Sequence, residues 1–510
     1  MSAPSLPEPE EELGATSAPS VVSGGLWTLL SRVLPQAQLL LLSIVVARYL
    51  GPDEMGLQSY IAFVSIALVQ MATAGLPLAI SRFVGELLGA RRGGQALSLY
   101  AVSRRVETVA AALVLLVLVV VAALGNEPET AWVLAGVSAA LAVLQAVPAA
   151  LLAGSQRWRE AWLPGLVTGV ATVPAVVVAL ELGGGISGLF GVEAAAVAVN
   201  LAWTSVLARR LVVVLPEPEP APRELRRRFW SFTWSSSLIV IISFVVWRRS
   251  ELFVLQHYSS NAQIAFYSIA FAAVSGLSKV PETIEAVSMP AVANLVGTGE
   301  HERIRAGFWR ALRLLVLITW PLVTGFAIVG PGLLSWAYGS DYADAGSVML
   351  AMLAPLLLQP MLRLSEGVLY GLGRVNFIVV ALIAGTVVDV GLAFALVPGL
   401  DAVGAAIANG CAVLVAGVPC LVLATRLHRP IALAGGPLAR TVLLSALVAG
   451  AAWAASLVGV ILGVLAGVAV GLGGALALRP LARDDAVWLA DALGAGGPRG
   501  VAAGFVRRLG

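Results

Sequence analysis

Charged residues interrupt otherwise apolar runs at only a few places in this sequence, and those side chains could do chemistry. Arg32 lies in the run that starts at Trp27. Arg248, Arg249 and Glu251 fall in the run 230–255, and Lys279, Glu282 and Glu285 surround Pro281. Arg363 and Glu366 form one pair, and Asp389 stands alone in the middle of the run 375–397. A charge inside a membrane span is expensive and usually faces protein or water, so each is a functional candidate by default. The mixture is rich in arginine, which favours an anionic ligand, because the planar guanidinium suits phosphate. Each position also has a structural reading. Arg32 could snorkel to the headgroups, and Arg248–Glu251 and Lys279–Glu282 have the i,i+3 spacing of helix ion pairs. The pair Arg363–Glu366 is open to the same two readings. Asp389 is too deep to snorkel, and its insertion costs about 2.5–3.5 kcal/mol. It either binds a coupling proton or Na⁺, or is protonated and hydrogen-bonded to a neighbouring helix.

The elements that must position these residues are spanning helices. Of the 510 residues 59% are hydrophobic and 12% charged, against about 25% charged in soluble domains. A run of about 20 apolar residues crosses a hydrocarbon core about 30 Å thick, and in lipid only a helix or a closed barrel satisfies the backbone. Fourteen spans are predicted, at 22–47, 58–80, 103–124, 131–153, 161–180, 190–208, 230–255, 262–290, 307–330, 345–368, 375–397, 402–425, 438–456 and 458–478. The fold class is therefore all-α and polytopic.

Arginine placement sets the topology. Arg82, Arg91 and Arg92, then Arg157 and Arg159, Arg209 and Arg210, Arg303 and Arg305, Arg374, Arg426 and Arg429 occupy alternate loops. The intervening loops carry Asp53 and Glu54, Glu127 and Glu129, Glu181, Asp341 and Asp344, and Asp401. By the positive-inside rule both termini are cytoplasmic, which predicts a multi-pass protein of the cytoplasmic membrane. Residues 1–20, rich in Pro, Glu, Ala and Ser, read as a disordered tail without the basic start of a signal peptide.

The spans form two halves. Residues 21–210 make a six-helix N-lobe, 211–229 a proline-rich cytoplasmic linker, and 230–430 a six-helix C-lobe. Residues 431–480 add two helices, and 481–510 form a cytoplasmic tail. Leu152-Ala-Gly154-Ser-Gln-Arg157 answers Leu369-Tyr-Gly371-Leu-Gly-Arg374, and Ala194–Ala198 before Asn200 answers Gly404–Ala408 before Asn409. Both halves start on the same side, so the pseudo-two-fold is parallel. Architectures of this kind hold substrate between lobes that rock to alternate access.

Several function classes are excluded. The sequence has no phosphate-binding P-loop, no nucleophile elbow, and only three histidines and two cysteines. An enzyme is not expected, nor a metal site, nor, at a net charge of +3, a nucleic-acid partner. Cys411 and Cys420, nine apart on one helix, point to opposite sides and cannot bridge.

Specific residues carry a family resemblance. They are Ala47-Arg48-Tyr49-Leu50-Gly51-Pro52, Gly56, Gly75-Leu76-Pro77 and Arg82-Phe83. With them go Glu251 before an apolar run, Ala265-Phe266-Tyr267-Ser268-Ile269-Ala270, Gly339 with Tyr342 and Ala345, and Gly404-Ala405-Ala406. Over roughly residues 22–430 the chain resembles the oligosaccharide flippases, or polysaccharide transporters, of the multidrug/oligosaccharidyl-lipid/polysaccharide (MOP) exporter superfamily. It departs from them in having Ala265-Phe266 where glycine is usual and Glu251 where Asp is more frequent. The resemblance implies flipping of a lipid-linked glycan, with glycan-assembly proteins as potential partners and no cofactor beyond a coupling H⁺ or Na⁺. It places Arg249 and Glu251 on the cavity; Arg32, Arg248, Lys279, Glu282 and Arg363 are further substrate-binding candidates as charges within the spans, and Asp389 is the candidate for ion coupling. Arg32 and Arg249, one from the first span of each half, are expected to line one hydrated space and grip a diphosphate. The competing readings are a cation-coupled multidrug exporter of the same superfamily and a non-transporting scaffold for cell-wall assembly.

Overall fold

The computed structural model describes residues 18–247, 251–278, 299–430 and 435–493, together with 292, 295–296, 506 and 508–509; side chains are described from Gln38 onward, except at 239, 242–247 and 489–493. Among the described residues the protein is built of helices without a strand. In chain order they are α1 (Ala18–Thr73), α2 (Leu76–Gly89), α3 (Gly93–Ala123), α4 (Glu129–Gly154), α5 (Trp158–Glu181), α6 (Gly185–Val214) and α7 (Arg223–Trp247). These are followed by α8 (Leu252–Tyr258), α9 (Asn261–Leu277), α10 (His301–Tyr338), α11 (Ala345–Leu356), α12 (Gln359–Gly371), α13 (Val375–Leu427), α14 (Gly435–Ser456), α15 (Val460–Leu478) and α16 (Arg483–Leu493).

Nine helical stretches among the described residues are long and apolar enough to cross a membrane, and ten if the bent pair α11–α12 counts as one. Two of them, Gln38–Gly89 and Val375–Leu427, run for 52 and 53 residues. At 1.5 Å per residue each would extend about 80 Å, more than twice a bilayer core. Each is interrupted by a break in the helical backbone: α1 at Gly51, φ 75°, and α13 at Asp401, φ 47°. The break between α14 and α15 falls at the short Leu457-Val458-Gly459 link.

By packing the chain divides into residues Met1–Val245 and Val246–Gly510. In the first unit α4 packs against α1, α2, α3, α5 and α6. Its core joins Ile80, Phe83 and Val84 of α2 to Val147 and Leu151 of α4 and Phe229 of α7, with the Phe83 and Phe229 rings edge to face at 5.5 Å. The helix α7 thus packs within the first unit. In the second unit α13 packs against α8, α9, α11, α12, and α10 against α11, α12, α14 and α15.

Expected span ten is broken. Its halves α11 and α12 meet at 43°. Pro360 has no N–H to give the carbonyl of Leu356, and Pro355 strains the turn before it. The Trp320 indole donates to the Leu357 carbonyl at 3.1 Å, satisfying the opened backbone. On the opposite loop Gly339 takes φ 111°, which a glycine adopts without strain. It turns the buried Tyr342 into an aromatic cluster with Phe266 and Tyr338.

Candidate functional site

Glu251 precedes α8 and is 1% exposed. The Asn409 amide donates to its Oε1 at 2.7 Å, and the Tyr267 hydroxyl donates to its Oε2 at 3.0 Å. The carboxyl of Asp389, itself 1% exposed, is hydrogen-bonded to Glu251 as well. Residues from four expected spans, seven, eight, eleven and twelve, therefore converge on one point in the second unit. Two carboxyl groups in hydrogen-bond contact need a proton or a cation between them, since both cannot sit charged and unshielded at that distance. A carboxyl pair with an amide and a phenol is an all-oxygen and nitrogen polar set, suited to a proton or a hard cation. Among the described residues no group of three or more His, Cys, Asp or Glu gathers as a metal site.

Local sequence explains this convergence. At Gly404 a Cβ would meet the Leu396 carbonyl at 2.6 Å, and at Gly385 one would meet the Ala412 carbonyl at 2.9 Å. The two arms of α13 pack antiparallel at close range because these positions lack side chains, and that register sets Asp389 level with Asn409. The turn at Asp401 is braced from the α8–α9 link. Ser259 donates to Asp401 Oδ1 at 2.7 Å, and the Ala402 N–H donates to Gln263 Oε1 at 3.4 Å. Tyr267 is fully buried and stacks on Phe271. The same elements that bend the chain thus hold the four site residues.

The remaining predicted residues fall elsewhere. Glu251, expected on the substrate side, has both oxygens engaged within the protein. Arg363, partly buried, pairs with the buried Glu366 at 3.5 Å on α12. Glu366 lies beside Cys420, eleven residues beyond Asn409, or about 16 Å along the helix. Arg32 lies on α1 with its side chain outside the described residues, and Arg248, Arg249, Lys279 and Glu282 lie outside them altogether. Cys411 and Cys420 are free thiols. Tyr267 and Asn409 were legible only as motif and repeat positions. Their spacing of 16 and 158 residues from Glu251 gave no chemical signal.

The first unit holds a buried carboxyl of its own, Glu107 on α3, 2% exposed. It accepts the Val147 N–H at 2.7 Å and is paired with Arg104. Arg104 also donates to the carbonyl of Leu144. Pro148 lies four residues after Leu144 and cannot donate to it, so Arg104 takes the place of the missing helical bond. The sequence showed only a polar inner end to span three.

Residues 25–347 match the family described as polysaccharide biosynthesis protein. The chain belongs to this family. No curated protein matches the sequence. Solved structures share its fold. An inward-facing multidrug resistance MATE family transporter of the MOP superfamily aligns with TM-score 0.65 and 16% identity, over 77% of this chain and 94% of its own. The lipid II flippase MurJ, in an inward closed conformation, aligns with TM-score 0.62 and 14% identity, over 89% and 98%. A MOP superfamily transporter from Pyrococcus furiosus, described as having a binding pocket of reverse polarity, aligns with TM-score 0.59 and 15% identity, over 84% and 100%. The chain is thus an all-helical, multi-pass membrane protein with the MOP transporter fold.

Proposed function

We propose that this protein flips a lipid-linked oligosaccharide, or a related cell-surface polysaccharide precursor, across the cytoplasmic membrane by alternating access. The observation that carries the reading is the match to polysaccharide biosynthesis proteins over residues 25–347 on a transporter fold. The buried Glu251–Asp389–Asn409–Tyr267 cluster supplies a coupling site for a proton or Na⁺. A cation there drives transport only if it binds one access state better than the other, and four residues from four spans can hold that difference. The anionic end of the substrate cannot enter low dielectric unpaired; Arg32 and Arg249 are assigned to meet it. Both termini are assigned to the cytoplasm, and residues 21–210 and 230–430 to the two moving lobes, except that α7, which packs within the first unit, moves with the first lobe.

A multidrug exporter is the second reading, favoured by the fold likeness to the MATE transporter. The test is reconstitution of the purified protein in proteoliposomes. Translocation of a fluorescent lipid-linked oligosaccharide, without efflux of an organic cation dye, is the expected result. Dye efflux without glycan movement would replace the flippase reading by the exporter one.

A further inference from the structure

A groove of about 490 Å³ opens at the arginine-rich end of the first unit, where α5 begins and α6 nears its end. Gln156, Arg157, Trp158, Arg159 and Glu160 form its rim, and Leu163, Pro164, Trp203 and Leu207 its floor. That volume lies within the range of about 300–1,000 Å³ typical of small-molecule sites. Arg159 is exposed. Arg157 meets Glu160 only at 3.4 Å, with about a third of each side chain exposed. Two arginines against one glutamate leave the rim positive. The α5 N-terminus beside them has no side-chain cap, so its first N–H groups add to the positive field.

The floor continues down the bundle. On α6, Val199, Trp203 and Val206 are spaced three and four residues apart and exposed. On α5, Val167 and Val170 follow Leu163 with the same spacing and are also exposed. Residues so spaced share one helix face. A cationic rim at the membrane–water boundary therefore sits above a continuous apolar strip. Tryptophans stand at that boundary, where their amphipathic rings favour the headgroup level.

We propose that this groove binds the phosphate headgroup of an anionic phospholipid from the inner leaflet, with an acyl chain lying along the Val199–Val206 strip. The chemistry required is a phosphate ester for Arg157 and Arg159 joined to an apolar tail for the floor. Inorganic phosphate satisfies only the first half. The site lies wholly within the first unit and is separate from the carboxyl cluster that the transport reading uses.

The test is native mass spectrometry of the full-length protein purified in mild detergent, with phosphatidylglycerol or phosphatidylcholine added. The wild type should retain one phosphatidylglycerol more firmly than phosphatidylcholine. The double variant Arg157→Gln, Arg159→Gln should lose that preference by about tenfold, and Arg226→Gln, Arg227→Gln, two exposed arginines at the same end, should keep it. Leu207→Glu, which leaves both arginines in place, should also abolish retention, so failure of one variant to fold does not decide the matter. Equal retention by wild type and both groove variants would overturn the proposal. So would thermal stabilisation by inorganic phosphate with none by phosphatidylglycerol, which would indicate an anion site without a lipid.

Discussion

In the first unit Glu107 is buried against an arginine and a backbone N–H, whereas in the second Glu251 is buried against an amide, a phenol and another carboxyl. The repeated asparagines differ in the same way. Asn200 accepts from Thr204 at 3.3 Å, one helical turn away, while Asn409 reaches across to Glu251. In the first unit the charge is neutralised locally and the ion pair repairs a proline break in α4. That arrangement stabilises one conformation. In the second unit the carboxyls need a proton or cation between them, so their state depends on what the solution supplies. Burial alone therefore does not identify a functional acid; its partners do.

The largest expected effect tests the structural half of this contrast. Glu107→Ala leaves the Val147 N–H without its acceptor and Arg104, still bonded to the Leu144 carbonyl, without its counter-charge, and should destabilise the protein by about 3 kcal/mol. Thermal unfolding in detergent reads the loss. A change under about 1 kcal/mol would show that the pair behaves as a solvated one and would break the comparison.

A carboxyl at the edge of the second unit is balanced in the first unit's manner. Asp485 on α16 accepts from Arg313 Nε at 2.7 Å and Nη2 at 2.9 Å, and from Arg310 Nε at 2.9 Å. Arg310 also lies over the Trp488 ring at 4.8 Å. Burial pushes the Asp485 carboxyl up, but the hydrogen bonds and charges of Arg313 and Arg310 outweigh it and hold it below its ordinary value. A depressed folded value means that this docking is fully present above the unfolded value of about 3.9 and lost as pH falls through the folded one. Docking of α16 should thus be constant from about pH 5 upward. Asp485→Asn should weaken it by about 2 kcal/mol, read as faster hydrogen exchange over residues 483–488. Unchanged exchange would remove Asp485 from the contrast.

The smallest effect sharpens the second half. Tyr267→Phe removes one donor to Glu251 and leaves the ring. It should shift cation dependence by about 1 kcal/mol, or roughly fivefold in half-saturating concentration, with little change in unfolding temperature. A large loss of stability with no shift in cation dependence would make the cluster a structural network like that around Glu107.

The contrast was only half legible in the sequence. Asp389 stood out because a lone acid in an apolar run has few explanations. Glu251 stood out too, yet adjacent Arg248 and Arg249 suggested a substrate role, and its partner Asn409 lies 158 residues away. Nothing local encodes a hydrogen bond of that separation; it follows from the Gly385 and Gly404 contacts that set the register of α13. The repair at Pro148 was hidden for the same reason, since the replacement donor comes from 40 residues upstream. Apolar runs placed most helices because burial in lipid constrains every residue of a span. The bend between α11 and α12 and the docked helix α16 arise instead from two prolines and from one carboxylate held by two arginines, which leave no periodic trace.

The most direct test of the account is glycan translocation in proteoliposomes under an imposed Na⁺ or pH gradient, comparing wild type with the Glu251→Gln, Asp389→Asn double variant. The wild type should accelerate with one of the two gradients. The double variant should fold and move glycan at a gradient-independent rate, at least about tenfold below the driven wild type. Gradient-driven translocation that survives the double substitution would contradict the assignment of this carboxyl pair as the coupling site.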